Sequence, residues 1–222
     1  MTVRATILSA AAATMLVAPA FAEAFSARDV LTVCLTTRSA PNSIPALFLK
    51  QGWHNALENS RDEASQLLAL SFLANFASGS PGQPYNPRDW AESWAIVQDA
   101  ASKIVSQQAK EDWFLFVEKQ SGAFLAVSTI SDGPGLNIRC LLAVPEATSK
   151  GSSYHPRLSP PDARGAFLAT LETVTFKTTR TQIFSVAVAV DPNAIKRELN
   201  VNTDIVAVFS TSISYPTWAV AE

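Results

Sequence analysis

Two cysteines, two histidines and a scatter of serines are the side chains whose types can carry chemistry in this chain. Cys34 and Cys140 are the only cysteines, and they lie in no C-x-x-C pair. An even count outside a redox motif points to one disulfide if the chain reaches an oxidising compartment. The histidines, His54 and His155, have no histidine partner at the two- to four-residue spacing of a zinc site, so no metal ligand set is expected. No G-x-S-x-G elbow, S-x-x-K pair, H-E-x-x-H helix or G-x-x-x-x-G-K-[ST] loop occurs. The Gly-rich turn Asp132-Gly133-Pro134-Gly135 leads into a strand, whereas a phosphate loop needs a helix there. No cofactor is expected.

One segment gathers polar groups: Lys150, Ser152, Ser153, Tyr154, His155 and Arg157, in the stretch from Glu146 to Leu158 that lacks periodicity. Lys150, Tyr154 and Arg157 are the residue types that hold an anionic ligand. His155 beside Ser152 or Ser153 is the arrangement a hydrolase would need, the imidazole as general base and a hydroxyl as nucleophile. The ordinary alternative, which the sequence favours, is a solvated surface loop whose Tyr154 and His155 pack on its own prolines.

The first 22 residues read as an address. Arg4 supplies a positive start, Ala5 to Val17 are apolar or small, and Ala20-Phe21-Ala22 has the A-x-A form of a cleavage site. A cleaved signal peptide is expected, with cleavage after Ala22, delivery to the periplasm or the exterior, and a single domain over 23–222. The apolar run is short for a span, and no other stretch reaches the length a membrane helix needs, so the mature chain is not expected to cross a membrane.

The elements that must position these groups follow from period and capping. Ser26 and Asp29 form a capping box, and Ala27, Val30, Leu31, Cys34 and Leu35 then recur on one helical face. Ser43 is expected to cap a short helix over Ile44 to Gln51, closed by Gly52. Ser60 and Glu63 make a second capping box before a helix carrying Leu67, Leu68, Leu70, Phe72, Leu73 and Phe76, apolar almost all round and hence central. Asn86-Pro87 is expected to start a fourth helix whose stripe includes Trp90, Trp94, Val97, Ala101, Ile104 and Val105. The tryptophan pair at i, i+4 is read as core rather than as a ligand platform.

From Trp113 the period becomes two. Strands are expected over Trp113 to Lys119, Ala123 to Ile130 and around Leu136 to Leu142, with Cys140 pointing inward. Ser159 to Asp162 resembles a helix start whose buried face would hold Ala163, Phe167, Leu168 and Leu171. Thr173 to Lys177, Ile183 to Val190 and Thr203 to Ser214 read as strands, with a short helix from Asp191-Pro192 to Leu199.

Helices first and antiparallel strands after them argue an α+β fold, N-terminal helices on a mainly antiparallel sheet in two layers. With 48% hydrophobic and 16% charged residues the chain has ample material for a core. A net charge of −2 without a Lys/Arg cluster gives no nucleic-acid footprint. The expected function is a non-catalytic binding or envelope-associated domain held by one disulfide, its partner a protein or a small-molecule ligand. The alternative is the envelope hydrolase around His155.

Overall fold

The computed structural model describes residues 26–36, 43–77, 90–107, 113–132, 135–146, 167–177 and 182–216. Residues 1–22, where a signal peptide is expected, lie outside them, as do Asn86-Pro87 and the whole Lys150–Arg157 cluster.

Helix α1 spans Ala27–Thr36, α2 Ile44–Lys50, α3 Arg61–Ala77, α4 Trp90–Gln107 and α5 Pro192–Leu199. The strands are β1 Trp53–Asn55, β2 Trp113–Glu118, β3 Phe124–Asp132, β4 Gly135–Pro145, β5 Phe167–Lys177, β6 Gln182–Val190 and β7 Ile205–Pro216. They form one sheet in the order β1-β2-β3-β4-β7-β6-β5, and every pairing is antiparallel. The α+β class expected from the sequence is the class observed.

The helix boundaries follow the local signals. The Asp29 amide donates to Ser26 Oγ at 3.3 Å and the Glu63 amide to Ser60 Oγ at 3.2 Å, so both capping boxes satisfy an orphan N–H. Gly52 closes α2 with φ +88°, the left-handed conformation that favours glycine. Ser43 departs from expectation: its backbone is already helical and its side chain makes no cap bond. Asp191 caps α5 by accepting from the Asn193 amide at 2.9 Å, and Asn200 ends it in the left-handed region at φ 55°.

Alternation along β4 explains the layering. Leu136, Ile138, Cys140, Leu142 and Val144 pack in one cluster with Ala27, Val30 and Cys34 of α1 and Ile44 and Phe48 of α2. The intervening Leu141 and Ala143 pack in another, with Leu68, Leu70 and Leu73 of α3, Trp94, Val97 and Ala101 of α4 and Ile195 of α5. Helices therefore cover both faces of the sheet, and the two expected layers become three. The physical reason lies in the strands. Phe124 to Val127 and Leu141 to Val144 are continuous apolar runs, and such runs must be buried on both sides. Trp90 and Trp94 are 6% and 8% exposed in the α3–α4 core, which settles them as packing residues.

Two further corrections concern strands. The helix expected to carry Phe167, Leu168 and Leu171 is β5, paired with β6 from Phe167 to Lys177. The β-branched residues Thr170, Thr173, Val174 and Thr175 favour the extended chain, and sheet pairing overrides the helical spacing of the apolar residues. Trp53–Asn55, for which no strand is expected from the sequence, is a short edge strand paired with Phe116 to Glu118.

Candidate ligand-binding surface

The sequence-derived sites separate into one pair brought together and one cluster not described. Cys34 and Cys140 are bonded, with Cα atoms 6.5 Å apart, inside the normal span of a disulfide. Cys34 sits on the buried face of α1 and Cys140 in the middle of β4, and they are 1% and 0% exposed. No free cysteine is present among the described residues. His155, Ser152, Ser153, Lys150, Tyr154 and Arg157 lie outside the described residues.

His54 is half-buried on β1, opposite Val117. Its neighbour in charge is Glu118. The Glu118 carboxyl is raised by partial burial but held below the usual carboxylate range on balance. The Ser121 hydroxyl and amide and the Gln120 amide donate to it, and His54 adds a favourable charge. The Ser121 amide reaches Glu118 Oε2 at 2.6 Å and Ser121 Oγ accepts from the Ala123 amide at 3.1 Å. Glu118 shares the sheet face of Trp53, its partner across β1 and β2, whereas His54 faces the other way with Val117. This arrangement clamps the β2–β3 turn and does not form an acid–base couple.

A surface that the sequence reading did not assemble lies at the far end of the sheet. Trp113, Ser128, Arg139 and Ser212 are successive register partners across β2, β3, β4 and β7. They share the face covered by α3 and α4, one row beyond Leu115, Ala126 and Leu141 of the core. Phe72 of α3 meets Trp113 edge-on, with ring centroids 5.4 Å apart, and closes one side of the row. Beyond it the face turns polar. The next row carries Ile130, Asn137 and Ser214, in which Ser214 Oγ donates to Asn137 Oδ1 and Ile130 is half exposed.

The hydrogen bonding of these two rows differs. Asn137 and Ser214 satisfy one another. Ser128 is 1% exposed, and its Oγ is buried with no hydrogen-bond partner among the described residues. Leaving a buried hydroxyl unmatched costs about 1–3 kcal/mol. Arg139, next to it, stands in solvent and makes no ion pair among the described residues. The opposite face at the same end of the sheet is apolar: Leu136, Ile138 and Ile213 are buried in the α1 cluster.

The signal for this row was present in the sequence. Ser210, Ser212 and Ser214 alternate along β7 as Asn137 and Arg139 do along β4. Placing them on one face needed the β4–β7 pairing, which joins segments about 70 residues apart and is not readable from local pattern.

Among the described residues no cluster of His, Cys, Asp and Glu has the makings of a metal site, and no helix is long and apolar enough to cross a membrane. Comparisons with protein-family models, with curated proteins and with solved structures find no match.

Proposed function

We propose that this chain is an exported domain of the periplasm or the exterior that binds a protein or a small-molecule ligand and performs no catalysis. The observation that carries the reading is the buried Cys34–Cys140 bridge. Structural disulfides form and persist in oxidising compartments and are rare in the cytosol. The signal-like segment that ends at Ala22 agrees with the same compartment. The bridge ties α1 to the centre of the sheet, which suits a rigid binding scaffold. The hydrolase reading would need His155 and Ser152 or Ser153, and no described side chain speaks for it.

The test is intact mass of the full chain produced with its own N-terminus in a bacterial host and recovered from the periplasmic fraction. The expected product starts at Glu23 and takes up a thiol-alkylating reagent only after reduction. A product that keeps residues 1–22 and alkylates at both cysteines without reduction overturns the proposal.

A further inference from the structure

We propose that Ser128, Arg139 and Ser212 form a binding row for an oxyanion, the carboxylate or phosphate group of a small organic ligand. The inference rests on reading the chain as a binding domain and names the chemistry of its ligand.

Ser128 pairs with Arg139 and Arg139 with Ser212, so the three side chains project from one face of three adjacent strands. Neighbouring strands lie about 4.8 Å apart, so the row is about 10 Å wide, the reach of one small anion and its immediate substituent. All three groups can donate, and Arg139 alone is charged. No carboxylate occupies this row or the next among the described residues. A guanidinium flanked by hydroxyls on both sides complements an oxyanion, because the charged pair sets the attraction and the hydroxyls fill the remaining lone pairs.

Ser128 supplies the second and independent observation. Its hydroxyl is enclosed on the same face as Arg139, yet no described acceptor meets it. A purely structural position there is served as well by alanine, which leaves no orphaned group. An anion seated on Arg139 presents acceptor atoms to the hydroxyl from the adjoining register position. The Asn137–Ser214 pair beside it shows what a self-satisfied row looks like on this same sheet. Ile130, on the same strand and face as Ser128 and half exposed, offers an apolar edge for the organic part of the ligand.

The test is a titration of the full chain with inorganic phosphate, sulfate and acetate, in a buffer free of other oxyanions, followed by backbone amide NMR. Saturable shifts centred on Ser128, Arg139 and Ser212 are expected, and the tightest of the three probes tells a phosphate ligand from a carboxylate one. Arg139→Gln weakens binding by about tenfold or more, as loss of a charge-assisted hydrogen bond implies, and Arg139→Lys restores part of it. Ser128→Ala weakens binding several-fold, whereas a structural serine would alter stability alone. Shifts that are scattered over the surface, do not saturate, or persist in Arg139→Gln overturn the row. That failure is separable from failure of the export reading, because a folded chain with its disulfide intact still passes the mass test.

Discussion

Cys34 is bonded to Cys140 at the one position of β4 that has Val127 of β3 on one side and Thr211 of β7 on the other. The bridge therefore anchors α1 to the middle of the sheet rather than to its rim. It closes a span of 106 residues. Chain-entropy arguments put loops of this size near 4.7 kcal/mol, and measured values are commonly lower. Replacing both cysteines by alanine is expected to lower stability by about 2–5 kcal/mol. Urea unfolding of the oxidised protein and the double variant checks this. An unchanged midpoint would show that α1 holds its place by packing alone.

Leu141 tests the three-layer arrangement. It is fully buried on the face under α3 and α4, while its neighbours Cys140 and Leu142 face α1 and α2. Leu141→Ala and Leu142→Ala should each cost about 2–5 kcal/mol, because each leaves a cavity in a different covered face. In a two-layer fold one of the two would face solvent and its truncation would cost little. Thermal unfolding of the pair tells these cases apart.

Glu118 gives the fold a pH dependence of known sign. Its folded pKa is lowered despite partial burial, through donors at Ser121 and Gln120 and the charge of His54. The stabilisation is present above the unfolded glutamate value of about 4.3 and is lost as pH falls through the lower folded value. Glu118→Gln should thus be less stable than the parent near neutral pH, and the two should converge in acid. Unfolding midpoints measured across that range decide the matter. A difference that persists at the acidic end would assign the effect to packing.

Two backbone positions separate strain from contact. Gly52 has φ +88° and nothing within 4 Å of where a Cβ would stand, so Gly52→Ala tests conformation alone. A loss of about 1–2 kcal/mol is expected from the left-handed backbone. Asn200, at φ 55° after α5, already tolerates that region, and Asn200→Gly should be neutral or slightly stabilising. Chemical denaturation of both variants is the measurement.

The parts of the fold legible in the sequence were those fixed by short-range physics. The Ser26 and Ser60 caps, the Gly52 stop, the Cys34 face and the β2–β3 hairpin all depend on residues within a turn or two of one another. The α3 pattern was readable as central because it is apolar on nearly every side. The rest depended on pairing. The period of Phe167, Leu168 and Leu171 suits a helix until β6 is available as a partner. Trp53–Asn55 is too short to announce a strand and exists through its bonds to β2. The double covering of the sheet was implicit in the unbroken apolar runs of β3 and β4. The Ser128–Arg139–Ser212 row requires knowing that β4 lies beside β7.

That last neighbour relation bears on how the chain is made. β7 is the latest of the described strands in sequence, yet it lies between β4 and β6, joining a meander built early to a hairpin built later. Until Ile205–Pro216 has left the ribosome, β4 and β6 both present bare hydrogen-bonding edges flanked by apolar surface. The nascent protein is thus a set of sticky fragments for most of its synthesis and closes only when its keystone strand arrives. A version truncated before Ile205 should aggregate rather than fold to a smaller unit.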